Sequence, residues 1–153
     1  MDIDGLRERL RTGRIATQLR QGAPASAHLL AGWRFDQPRL WIDADDLVGE
    51  VVDAIDRLNG RPDSSERCLR AIERYRWEPT EEHRRAIRAT YDAVPRHLRG
   101  LLLGDQDRKD WPIRVLATDI GDNVAADGPT VTQDMHTEAL AYFHTFPRRQ
   151  DRP

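Results

Sequence analysis

Apolar positions along this chain recur mostly with the period of a helix. Leu6 and Leu10 stand four apart, with Ile3 ahead and Gly13 behind, and predict a short helix over 4–12. The clearest stripe is Leu47, Val48, Val51, Val52, Ile55 and Leu58, apolar positions at helical spacing that predict a helix over 43–59. Asp43 can cap it, Asp45 and Asp46 place negative charge in its first turn, and Gly60 and Pro62 stop it. Cys68, Leu69, Ile72 and Tyr75 predict the inner face of a helix over 64–77, opened by Asp63 and Glu66 as a capping box and broken by Pro79. Thr80 caps a further helix running to Ala93, with His83, Ile87, Tyr91 and Val94 on one stripe. Pro95 suits the first turn of a short helix that carries Leu98, Leu101 and Leu102 and stops at Gly104. A last helix, capped by Thr130 or Thr132, buries Met135, Ala139, Tyr142, Phe143 and Phe146 and ends at Pro147.

Two stretches follow another period. Ile15, Thr17 and Leu19 alternate over 14–19, and Gln21-Gly22-Ala23-Pro24 marks a turn before 25–35. The two arms predict a β-hairpin, although Ala27, Leu30 and Ala31 also fit a helical face. The apolar run 112–118 reads as a strand with Pro112 at its first position. The expected fold is α+β: four to six helices with a small antiparallel sheet on one side, as a single domain over 1–147 with a flexible tail over 148–153.

A chain of 153 residues is about one domain's worth and long enough for one core without disulfides or structural metal. Charged residues make up 33%, yet the net charge is only -2, which argues against a protein built to coat nucleic acid. Lys109 is the one lysine among 24 basic residues. That bias suits anion recognition by arginine, but the arginines are spread over the whole chain, as a GC-rich genome would spread them. Cys68 is the single cysteine and fits a reducing cytoplasm; no apolar leader or membrane span is present.

The densest polar cluster is Gly104-Asp105-Gln106-Asp107-Arg108-Lys109-Asp110-Trp111. Asp105, Asp107 and Asp110 offer hard oxygen ligands for a cation such as Mg²⁺, and Arg108 could clamp a phosphate. The simpler expectation is that these aspartates shape a turn, because the later glycine and closing glutamate of a calcium loop are missing. His28, His83, His97, His136 and His144 show no zinc spacing, and no phosphate-binding glycine loop exists, so the sequence implies no cofactor and no assigned metal site or catalytic residue. Arg67, Arg70 and Arg74 line one helical face and Arg84 and Arg88 another, but Asp53–Arg57, Glu66–Arg70 and Glu81–Arg85 pairs predict self-neutralised helices. Trp77 and Trp111 are candidate anchors for a partner, and Trp33 and Trp41 are expected to cover the core.

The run Gly60-Arg61-Pro62-Asp63-Ser64 followed by Cys68, and the runs from Val94 to Arg99 and from Leu103 to Pro112, resemble a bacterial, largely actinobacterial, cytoplasmic family of unknown function over most of the chain. The resemblance implies no activity, so no catalytic residue is carried over. Members of that family often have Met where this chain has Gln106, and a further N-terminal strand region. Without that region the hairpin loses a neighbour, and a dimer contact would cover its edge. The expected function is therefore a small cytoplasmic, non-catalytic protein-interaction module with a protein partner or its own copy. The alternative is a metal-assisted enzyme on a phosphorylated or nucleotide-like ligand at the Asp105/Asp107/Asp110 loop. A nucleic-acid binder using the arginine rows is weaker still, and no membrane role is expected.

Overall fold

The computed structural model describes residues 2–28, 30–38, 42–104 and 109–145. Among these, seven helices and one two-stranded sheet occur: α1 (Ile3–Arg11), β1 (Pro24–Ala27), β2 (Ala31–Arg34), α2 (Ala44–Leu58), α3 (Ser64–Trp77), α4 (Glu81–Asp92), α5 (Arg96–Arg99), α6 (Trp111–Ala117) and α7 (Gln133–His144). The architecture is α+β and mostly helical, as the periodicity predicts.

The caps explain most of the boundaries. Asp43 accepts the Asp46 N–H at 2.9 Å, Asp63 the Glu66 N–H at 2.9 Å and Thr80 the His83 N–H at 3.2 Å. Of the two threonines available to α7, Thr132 takes the role, accepting the Met135 N–H at 3.2 Å. The core lies wholly between residues 68 and 143, where Cys68, Ile72, Ile87, Val94, Ile113, Leu116, Val131, Ala139 and Phe143 interlock. α3 packs on α4, α4 on α6, and α6 on α7. Met135 and Tyr142 are partly buried against that core; Phe146, Pro147 and the tail lie outside the described residues.

Two of the expected elements are corrected. Residues 112–118 are not a strand: 112–117 belong to α6, whose first turn holds Pro112 and whose C-cap is Thr118, and Ile113, Val115, Leu116 and Ala117 are all buried. A short apolar run enclosed on every side has no period to reveal, and Pro is at home in the first turn of a helix. The hairpin is also displaced. Its strands pair Pro24 with Arg34 and Ala27 with Ala31, so the hairpin is formed from the end of the expected turn and the expected second arm, and 14–19 is not a strand. Pro24 opens β1, and Gly22, at φ 75°, turns the chain into it.

A different finding concerns α2. The helix forms where the apolar stripe places it, but Leu58 is 87% exposed and no apolar residue of α2 is fully buried. Its two buried residues are Asp46 and Asp53. α2 packs on α1, and a second face through Asp43, Asp46, Gly49, Glu50, Asp53 and Asp56, positions three and four apart, meets hydrogen-bond donors. Asp53 accepts both the Ser64 N–H at 2.7 Å and the Ser64 hydroxyl at 2.5 Å. Arg67 donates to Asp56 at 2.7 Å, and Asp46 accepts the Arg96 N–H at 2.8 Å. His97 meets Glu50 at 2.6 Å, and Arg96 pairs with Asp43. A Cβ at Gly49 would meet the Pro95 ring at 3.1 Å, so the glycine is what lets the two segments approach.

Candidate functional site

A concavity of about 520 Å³ opens between α4, α5, α6 and the 119–131 loop. α4 supplies Arg88 and Tyr91 one turn apart, α5 supplies Arg96 and Arg99, and α6 supplies Arg114, with Asp110 just before its start. The loop closes the far wall through main-chain bonds: Gly121 N–H to the Val131 carbonyl at 2.9 Å, and Val131 N–H to that of Asp122 at 2.8 Å. Asp92 and Asp122 also reach the cleft surface.

The Tyr91 hydroxyl, buried in the floor, donates to Asp110 at 2.6 Å. Burial and, next, the neighbouring Asp110 carboxylate push the phenol well above its ordinary range, so it stays protonated. Four arginines converge here but differ in their bonding. Arg88 donates to Asp119 at 2.8 Å, and Arg96 is held by Asp43 and Asp46. Arg99 donates to the Val94 carbonyl at 3.0 Å and the Asp92 carbonyl at 2.9 Å, with its guanidinium 4.9 Å from the centre of the Tyr91 ring. Arg114 makes one long bond, 3.4 Å to the Val124 carbonyl, and lies 5.9 Å from the Trp111 ring centre. Among the described residues neither Arg99 nor Arg114 forms an ion pair.

The polar loop singled out in the sequence is only partly visible. Asp105, Asp107 and Arg108 lie outside the described residues. Asp110 reaches the cleft, where it fixes Tyr91. Among the described residues no group of three His, Cys, Asp or Glu side chains could hold a metal ion. Trp111 is half-buried against the core, whereas Trp77 is 58% exposed at the end of α3, with its indole N–H donating to Glu73 at 2.9 Å. Trp33, expected on the core, stands 48% exposed on β2, and Trp41 lies outside the described residues. Of the arginine rows, Arg84 bonds Glu81 and Asp119, Arg88 shares Asp119, and Arg67 bonds Asp56, whereas among the described residues Arg70 and Arg74 form no ion pair; of the expected helical pairs only Glu81–Arg85 forms, and Arg57 pairs with Asp63 instead. Of the histidines, His136 is buried, with Nε2 3.2 Å from the Thr118 carbonyl, and His83 is half-buried, with Nδ1 2.8 Å from that of Glu78. Cys68 is fully buried, and that burial pushes its thiol up to about 12, so it is no nucleophile at neutral pH.

No spacing in the sequence announces Arg88, Arg96, Arg99 and Arg114 as a set. They come from three helices, and only the packing of α4 against α6 joins them. No helix among the described residues is long and apolar enough to cross a membrane.

Residues 63–153 match the family model described as a domain of unknown function, DUF7639, and residues 1–62 match a second, domain of unknown function DUF7638. Neither the curated proteins nor the solved structures give a match.

Proposed function

We propose, for a chain that belongs over residues 63–153 to the DUF7639 family, a role as a non-catalytic protein-interaction module. Its contact face is the N-terminal hairpin, and a second copy of the chain is its occupant. One observation carries the reading. Of the described residues in 2–42 only Leu6 is buried, while Leu30, at 86% exposure, and Trp33 stand out from the hairpin into solvent. A lone two-stranded hairpin is marginally stable in water, and both strands of this sheet are edges with main-chain groups open to pairing. Strand addition by a second copy would satisfy that edge. A two-fold contact sets the same patch against itself, which would bring Leu30 and Trp33 of both copies together.

A bacterial cytoplasm is the setting this reading assumes, and the buried thiol of Cys68 is compatible with it. We also read residues 1–147 as one domain, supported by the bonds that cross from α2 to Ser64, Arg67, Arg96 and His97.

Sedimentation velocity over a wide concentration range tests the proposal, with the full chain and the variants Leu30→Asp and Trp33→Asp. The expected result is a reversible dimer that each variant weakens by about tenfold or more, the effect of removing a buried contact anchor. A chain that stays monomeric at every concentration, or a dimer indifferent to both variants, would overturn it.

A further inference from the structure

We propose that the cleft between α4, α5 and α6 is a binding site for a small phosphate-bearing anion, gripped by Arg99 and Arg114. The inference stands apart from the docking face, since it concerns the opposite half of the chain.

A guanidinium carries five N–H donors. Arg99 directs two of its donor groups to carbonyls, and Arg114 uses one at long range. Several donors on each side chain therefore remain for a ligand. Both groups are also orientated by aromatic rings, Tyr91 for Arg99 and Trp111 for Arg114, so less rotational freedom is lost when they bind.

The carboxylates nearby do not cancel this pair. Arg88 and Arg96 are already matched by Asp119, Asp43 and Asp46. Asp110 is engaged at one oxygen by the Tyr91 hydroxyl, and among the described residues no ion pair joins it to Arg99 or Arg114. Asp92 and Asp122 stand exposed on the cleft wall, where solvent screens them. What is left is a cationic pair from two different helices in a concavity of about 520 Å³, within the ordinary size range of small-molecule sites. Its lining is polar, which disfavours an apolar ligand. A phosphate presents several acceptor oxygens in a tetrahedral array and can bridge two guanidiniums, where a single planar carboxylate is matched by one.

Calorimetric titration of the full chain with pyrophosphate and with inorganic phosphate tests the site. Citrate serves as the carboxylate probe, and Arg114→Gln, Arg99→Gln and Arg85→Gln as variants. Arg85 lies on α4 outside the cleft, paired with Glu81 at 2.9 Å, and controls for general loss of charge. The expected result is saturable binding of at least one phosphate probe, in preference to citrate. Arg114→Gln should weaken it by about tenfold or more, and Arg85→Gln should leave it unchanged. Arg99→Gln gives the same loss if its helix ends remain folded by circular dichroism; Arg114, with only one long bond, carries the decision if they do not. Absence of saturable phosphate binding, a preference for citrate, or equal weakening by Arg114→Gln and Arg85→Gln would each overturn the proposal.

Discussion

The two halves of this molecule are stabilised by different physics. From residue 68 to 143 an apolar core joins α3, α4, α6 and α7, with Ile87, Ile113 and Leu116 wholly enclosed. In the first 62 residues the buried positions among those described are Leu6, Asp46 and Asp53. One half closes by removing apolar surface from water. The other is fastened by carboxylates of α2 that receive N–H and O–H donors from the opposite half. A buried carboxylate holds only while its donors are in place. The N-terminal half therefore borrows its order from the C-terminal half, and of its own described apolar groups only Leu6 is fully buried.

This contrast sets the order of the effects to be measured. The largest belongs to the core: Leu116→Ala should lower stability by about 2–5 kcal/mol, the range for emptying a closed apolar site, read as a reduced midpoint in urea unfolding. Asp53→Ala should cost about 1–3 kcal/mol, because the Ser64 N–H and hydroxyl are left buried without an acceptor. Its signature is local: α1 and α2 should lose amide protection while α4 and α6 keep theirs. If Asp53→Ala instead lowers protection uniformly, the two halves are one cooperative unit and the contrast drawn here is wrong.

Acid should test both halves. The Asp56 carboxyl on α2 is held below its ordinary value of 3.8, chiefly by the Arg67 hydrogen bond and then by Arg61. In the other half, Glu81 is lowered from 4.5 to about 2, first by the Arg84 hydrogen bond, with Arg85 adding to it. Folded values below unfolded ones mean these groups contribute fully above the ordinary carboxylate range, and that contribution fades as pH falls through the lowered values. A melting temperature that declines from about pH 4.5 downward is expected, and Glu81→Gln should flatten part of that slope. The smallest effect is at Leu58: exposed at the end of α2, its replacement by Ser should stay within about 0.5 kcal/mol despite its place in the apolar stripe.

Leu58 also shows what the sequence could and could not convey. The stripe from Leu47 to Leu58 located α2 to within a residue of its ends, since both the caps and the period are local signals. It did not show that Asp46 and Asp53 would be the residues of α2 that become buried, because apolar spacing says nothing about a distant segment offering Ser64 and Arg96 as donors to aspartates. The same limit hid the cleft: Arg99 and Arg114 look like two more arginines in an arginine-rich chain until α5 and α6 bring them beside Tyr91. At 112–118 the failure was different. Every side of that segment is buried or half-buried, so no alternation existed to separate strand from helix, and Pro112 fitted either. The caps at Asp43, Asp63 and Thr80 were legible because each acts within four residues of itself, whereas Thr130 and Thr132 offered equal local signals and only the structure chose Thr132.

Hydrogen exchange on the full chain, followed segment by segment at low and high protein concentration, tests the central claim most directly. Amides of α3, α4, α6 and α7 should exchange slowly at both concentrations, while those of α1 and the hairpin exchange fast when dilute, with the hairpin slowing as concentration rises. Hairpin amides as protected as those around Ile87 and Leu116 in the dilute monomer would contradict the account.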